Sequence, residues 1–479
     1  MTRRSLSFSL ALALAFTLLS SIARAQPAAN PDGGAPPPPA TPDEAEIEKA
    51  LKADVAAQQK SQPAAATPQA ATPAAVAPPP STPAQPTAGG WASFGRFIQS
   101  MNPDLSAIVD FAAGWYSDDQ GTHKSGDDPA KTGFNVQEVE VALQAVVDPY
   151  FRADLFLTIP NLGGLEVEEA YLTTTHLPFN LQLRAGIFRA PLGRQNTQHL
   201  HMQDFTRRPG INYALLGVDG LRAPGMELNW LVPRVPFFLT LSFSMFSVGP
   251  ADPDAPLQTF GGGKPWDFTY VANARAFFNT SQNTSLYVGL NYAHGKTSQH
   301  ATQNCLIPTI AGGICATAFD NWYDNLYGAD LYFKWKPPNV AQHYRSVAWT
   351  TEWFMRQIPD LKILGVGHAQ LEGGLYTQVV VQLARRWLVG LRGEALGVPK
   401  GDNLRTELAA AGSVTWTLSE FSRIRLYAEV RGPVGCAAPP LGCATPNAQF
   451  VSAPQPQHVT GALFTQFEIA IGAHGAHPF

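Results

Sequence analysis

The chain has 479 residues with 33 basic and 37 acidic side chains, a formal charge of −4, and a mean hydropathy of −0.08. That acidic balance argues against a nucleic-acid partner, and no stretch beyond the N-terminus reaches the length of a helical membrane span. A strand-built membrane barrel stays open, because its strands alternate lipid-facing apolar and lumen-facing polar residues and so average to a soluble-looking hydropathy.

The N-terminus reads as an export signal. Arg3 and Arg4 open it, Leu6 to Leu19 is almost uninterruptedly apolar, and Ala23-Arg24-Ala25 supplies a small-x-small cleavage pattern, which places a signal peptide at residues 1–25. Its removal takes Arg3, Arg4 and Arg24 and makes the mature chain more acidic still.

Residues 26–90 are dominated by Ala, Pro, Gln and Thr, a composition that buries too little apolar surface to offset the entropy of ordering. They are expected to form a disordered periplasmic linker. One helical island stands inside it, over residues 42–60. Thr41 is its N-cap, Pro42 its first helical residue, Glu44 closes a capping box, and Ile47, Leu51 and Val55 share one face. That stripe is short for a self-associating coiled coil, and a solvated helix is the alternative.

From residue 91 to residue 479 the texture is that of segments of roughly 10–14 residues with period-two alternation, separated by Gly, Pro, Asn and Asp clusters. In residues 422–431, Ile424, Leu426, Ala428 and Val430 alternate with Arg423, Arg425, Tyr427, Glu429 and Arg431. Phe151, Ala153, Leu155 and Leu157 oppose Arg152, Asp154 and Thr158, and Val347, Trp349 and Trp353 oppose Glu352 and Arg356. A tilted membrane span needs about 9–11 residues, whereas soluble strands average about five or six. The expected fold is therefore an all-β transmembrane antiparallel barrel of about 16 strands, with short periplasmic turns alternating strictly with longer outer loops and both chain ends on the periplasmic side. Tryptophans such as Trp115, Trp230, Trp349, Trp387 and Trp416 fall where interfacial girdles would stand.

Four cysteines remain. Cys305 and Cys315 share one predicted outer loop and Cys436 and Cys443 another, so two local disulfides are expected among the three possible connectivities.

The connection from Pro191 to Arg222 is too long for an idle turn and carries Arg194, His199, His201, Arg207 and Arg208 against Asp204 and Asp219. Arginine donates bidentate hydrogen bonds to phosphate and carboxylate, and basic rings select anions in pores. The segment is expected to constrict the pore, with Arg184 and Arg189 on the preceding strand extending the lining. The alternative is a solvated outer loop facing lipopolysaccharide. The inferred lumen mixes Arg152, Arg275, Lys334, Arg392, Arg423 and Arg425 with Glu138, Glu140, Glu166, Glu168, Glu394, Glu407 and Glu429, which leaves the sign of its selectivity open.

His199-x-His201 with Asp204 has metal-ligand residue types, but a lone H-x-H is weak evidence and no metal is assigned. Gly289 to Thr297 mimics a phosphate-binding loop with one residue too many between its glycines and no following helix. Neither a G-x-S-x-G elbow nor an H-E-x-x-H signature occurs, so no enzyme and no cofactor is expected.

The strand GFNVQEVEVALQAVVDPYFRADLFL and the stretch VEEAYLTTTHLPFNLQLRAGIFRAPLGRQNTQHLH, behind a signal peptide and a Pro/Ala-rich lead, resemble phosphate-selective porin O/P-type proteins. That resemblance spans residues 95–479 and rests mainly on 133–232. It implies a 16-strand barrel, usually a homotrimer in the outer membrane, through which small anions diffuse past an infolded loop after the fifth strand. This chain departs from it in lacking a dense arginine ladder, which leaves phosphate itself open. The expected function is passive diffusion of small polar or anionic solutes, with lipid and lipopolysaccharide as surroundings. The alternatives are a structural anchor, a barrel enzyme without an open pore, and a TonB-type receptor, the last of which needs a folded N-terminal plug.

Overall fold

In the computed structural model of the protein, the described residues are 104–118, 126, 128–249, 258–262, 264–296, 323–337, 344–358, 370–399, 404, 406–434 and 458–472. The signal peptide, the 26–90 lead with its 42–60 helix, and Cys305, Cys315, Cys436 and Cys443 lie outside them.

Sixteen strands form one closed antiparallel barrel in which each strand pairs with its neighbours in sequence and β1 closes on β16. They are β1 (Asp104–Tyr116), β2 (Gly133–Val146), β3 (Phe151–Pro160), β4 (Glu166–Thr174), β5 (Leu181–Arg189), β6 (Arg222–Leu231), β7 (Phe238–Ser247) and β8 (Phe268–Ser281). The second half comprises β9 (Thr284–Lys296), β10 (Tyr323–Trp335), β11 (Ser346–Ile358), β12 (Gln370–Ala384), β13 (Trp387–Leu396), β14 (Glu407–Ser419), β15 (Ser422–Pro433) and β16 (Thr460–Gly472). Closure removes every free strand edge, which matters where no water is available to satisfy backbone groups. The closing ladder runs from Ser106 opposite Gly472 to Tyr116 opposite Ala462.

The alternation read from the sequence is the partition between the two faces. On β15, Leu426 and Val430 are 52 % and 57 % exposed on the outside, whereas Arg425, Tyr427, Glu429 and Arg431 are buried inside. Leu463, Ile469 and Ile471 on β16 point outward in the same way, with Gln466 and Glu468 inward. An apolar exterior around a charged interior inverts a soluble fold. Outward aromatics stand near both rims: Trp115, Tyr292 and Tyr323 at one end, and Trp230, Trp349 and the stacked pair Trp387 and Trp416 (5.8 Å between ring centroids) at the other. This is an outer-membrane barrel.

Both termini of the barrel chain, Asp104 and Gly472, lie at the end that holds the tight turns, such as 385–386 and 420–421. Strict alternation of connection length fails in one place. The 161–165 connection at the long-loop end spans only those five residues, fewer than the six of 175–180 that follow at the tight-turn end. A hairpin suffices between β3 and β4 because Asn161 and Leu162 adopt left-handed backbone conformations (φ 47° and 57°) that reverse the chain locally.

Two bulges break the alternation where it matters for the interior. Between β1 and β2, Asp110 pairs with Glu138 but Phe111 with Val136, so Gln137 is an extra residue and both Gln137 and Glu138 are buried. Between β3 and β4, Phe156 pairs with Glu169 but Leu157 with Val167, so Glu168 is extra and Glu168 and Glu169 are buried side by side. A bulge re-aims a side chain that strict alternation would send to the opposite face.

Candidate functional site

The connection after β5, from Ala190 to Leu221, lies inside the barrel. Its base is pinned by a backbone bond from the Ala190 N–H to the Leu221 carbonyl (2.8 Å). Asn196 reinforces that base, donating to the Ala190 carbonyl (2.8 Å) and accepting from the Leu221 N–H (2.9 Å). Gly193 carries the chain inward at φ 66°, donating to Asn291 Oδ1 (3.2 Å) and accepting from Arg275 (3.1 Å). Only glycine fits there without strain, since an added Cβ would sit 2.8 Å from Glu352 Oε2 and 2.9 Å from the Phe354 ring.

Beyond that point the segment bonds to the far wall. The Glu352 carboxylate of β11 accepts the N–H groups of Arg194 (2.7 Å) and Gln195 (2.6 Å). Arg425 of β15 donates to the Gln203 carbonyl (2.8 Å), and Thr206 donates to Gln466 of β16 (3.2 Å). Arg207 lies between Asp128 (2.8 Å) and Glu429 of β15 (2.5 Å), and its own carbonyl accepts from Arg392 of β13 (2.8 Å). Charge-assisted bonds in a region shielded from water are the strong members of their class.

A single short helix, α1 (Gly210–Leu216), follows. Its first N–H donates to Glu394 of β13 (2.9 Å), a carboxylate that also meets Arg431 (2.7 Å). Ile211, Ala214, Leu215 and Leu216 pack with Phe188, Phe246, Phe260, Leu326, Phe354 and Leu396 into an apolar cluster inside the barrel. The segment is thus held by apolar packing along α1 and by ion pairs along residues 199–210.

The histidines turn toward β2 and β4. His199 Nδ1 lies 2.9 Å from Glu168 Oε2 and 3.3 Å from Glu140 Oε2, and its Nε2 lies 3.0 Å from Glu169 Oε2. His201 Nδ1 is 3.1 Å from Glu140 Oε2. Burial opposes protonation of His199, but the carboxylates of Glu168 and Glu140 outweigh it and hold the imidazole well above its ordinary range. Arg189 backs the group, donating from its side chain to Glu168 Oε1 (3.1 Å) and from its backbone to Glu169 Oε1 (2.6 Å).

The basic residues singled out from the sequence therefore fall into different places. Arg189, His199, His201, Arg207 and Arg208 are buried, and Arg189 and Arg207 face carboxylates. Arg184 sits lower on β5, paired with Glu227 (2.9 Å) and stacked on Phe188. Arg194 lies over the Tyr332 ring (4.1 Å) at the edge of a cavity of about 650 Å³. Asp204 is not brought to the histidines: its Oδ2 accepts from Gln378 of β12 (3.4 Å). Strict alternation would have sent Glu169 outward. The adjacent acidic pair inside an otherwise alternating strand was the available sign of a bulge.

The cavity opens at the tight-turn end beneath the segment. Arg194, Lys334, Lys336, Arg385, Arg423 and Arg425 contribute six basic groups to its wall against the three acidic ones of Asp204, Glu420 and Glu468. Arg423 is tied to Glu468 (2.7 Å), and Ser413, Thr415, Thr417 and Ser419 of β14 supply hydroxyls.

No family model matches the chain. An uncharacterized protein of Aquifex aeolicus is 31% identical over 415 residues, which cover 79% of this chain and 80% of that one. Among solved structures, the anion-selective porin from Comamonas acidovorans aligns with TM-score 0.46 at 11% identity, over 77% of this chain and 99% of that one. Pseudomonas putida OprB aligns with TM-score 0.47 at 8% identity, over 80% and 97%. The outer membrane channel DcaP of Acinetobacter baumannii aligns with TM-score 0.44 at 9% identity, over 77% and 97%.

Proposed function

The chain belongs to one family with the Aquifex aeolicus protein, and from that premise and the interior of the barrel we propose that it is a porin-like channel for passive diffusion of small polar solutes, anions before cations. One observation carries this reading: the cavity beneath the infolded segment is walled by six basic groups against three acidic ones. A low-dielectric wall focuses the field of such an excess and raises the local concentration of anions. The Ala190–Leu221 segment sets the constriction, and the arginines that face carboxylates hold it in place rather than meet the solute.

Export by residues 1–25, tethering by residues 26–90 and assembly as a homotrimer among lipid and lipopolysaccharide complete the proposal. Swelling of liposomes that contain the purified protein, in isotonic solutions of small sugars and of small organic anions, tests it. Swelling faster in the anions than in neutral solutes of equal size supports the reading, and no swelling in either removes it.

A second reading has its own support. The apolar cluster around α1 packs inside the barrel, and a lumen filled in this way suits a closed barrel acting as an anchor. Deleting residues 194–219 separates the two, because a porin gains conductance from its existing level and a closed barrel gains it from none.

A further inference from the structure

We propose that Glu140, Glu168 and His199 bind a divalent transition-metal cation that pins the infolded segment to β2 and β4, with His201 alongside. One donor atom from each of the first three residues lies within 4.8 Å of the others, and all three residues are buried. They come from three separate parts of the chain, so the grouping is a product of the fold.

The separations suit a shared ion. Bonds of about 2.0–2.1 Å from zinc to nitrogen or oxygen set neighbouring ligand atoms roughly 3 Å apart. His199 Nδ1 stands 2.9 Å from Glu168 Oε2 and 3.3 Å from Glu140 Oε2. Glu169 Oε2, 3.0 Å from Nε2, accepts a hydrogen bond from Nε2–H, and in that tautomer the Nδ1 lone pair is directed at the two carboxylate oxygens. A carboxylate behind a ligating imidazole is the usual way such a ligand is oriented.

The carboxylates are arranged with one oxygen to spare. Arg189 occupies Oε1 of Glu168 through its side chain and Oε1 of Glu169 through its backbone N–H, so in both residues Oε2 is the oxygen turned to the histidine. Glu140 is 2 % exposed, its Oε1 has no hydrogen-bond partner, and its Oε2 is turned to the ring nitrogens of His199 and His201. A buried carboxylate in that condition carries a large desolvation cost that a cation offsets directly. Three carboxylates, those of Glu140, Glu168 and Glu169, gather around His199, and the Arg189 guanidinium pairs with Glu168; a dication that displaces the Nδ1 proton takes over the balancing of their charge. The mixed imidazole and carboxylate set favours zinc, manganese or ferrous iron over calcium or magnesium, which take oxygen ligands. The bulge at Glu168 is what turns this residue and Glu169 into the same site.

The test uses the full, folded protein in detergent, equilibrated with Zn2+ or Co2+ and freed of unbound ion. One ion per chain is expected by elemental analysis, with Co2+ absorption bands that Zn2+ abolishes. Glu140→Gln is expected to weaken Zn2+ binding at least tenfold, and Glu169→Gln by about ten- to a hundredfold, the range for a residue that orients a ligand. Asp204→Asn, in the same segment but turned to β12, is expected to keep the ion. Folding of each variant is checked by heat-dependent gel mobility, and the wild-type stoichiometry stands without any variant. Wild-type protein that holds no ion, or Glu140→Gln that binds Zn2+ as tightly as wild type, would overturn the proposal. These readouts do not depend on whether the barrel conducts.

Discussion

Arg207 of the infolded segment meets Glu429 of β15 at 2.5 Å although 222 residues separate them in the chain. Both side chains are buried. The pair joins the segment to the wall opposite the strand from which it springs. Removing Arg207 leaves Glu429 buried with Arg431 (3.2 Å) and Arg392 (3.8 Å) still beside it, so the cost is less than that of a fully uncompensated buried charge, about 3–5 kcal/mol. Arg207→Met is therefore expected to lower the thermal unfolding temperature of the detergent-solubilised barrel and to make single-channel currents noisier. Arg207→Met with Glu429→Gln should recover part of the loss. Equal stability of wild type and Arg207→Met would show that the pair does not hold the segment.

The entry of the segment depends on Gly193. At φ 66°, with Glu352 Oε2 and the Phe354 ring within 3 Å of the position a Cβ would take, alanine cannot be accommodated without displacement. Left-handed backbone in a non-glycine residue costs about 1 kcal/mol before any clash is counted. Gly193→Ala should shift the single-channel conductance. Gly412→Ala should leave it unaltered, since an added Cβ there meets nothing closer than 3.8 Å. Equal effects of the two would remove the entry role.

Charge on the lower cavity sets the expected selectivity. Lys334→Gln combined with Arg385→Gln takes two of the six basic groups from the wall. The ratio of anion to cation permeability should fall severalfold, more at low salt than at high, because screening shortens the reach of the remaining charges. Arg184→Gln, whose partner is Glu227 on the neighbouring strand, should change it far less.

Much of the barrel was legible because its signal is local. Leu426 and Val430 against Arg425 and Glu429 declare two faces within one strand, and that pattern repeats often enough to give strand number and direction. The segment after β5 was legible by length and by its place in strand order. Its partners were not. Whether Arg207 faces a solute or Glu429 depends on packing across the lumen, and no spacing in the chain encodes it. Likewise His199 and His201 stood out as residue types, but Asp204, the nearby acid, turns to Gln378, while the acids that meet them lie on β2 and β4. The bulge that brings Glu168 and Glu169 inward together breaks the very periodicity from which the strands were read.

The current through purified protein in a planar bilayer, with the zero-current potential under a salt gradient, tests the channel most directly. Discrete conductance steps with an anion-favouring potential are expected from the basic cavity below the segment. Silence from correctly folded protein, or a cation-favouring potential, would contradict it.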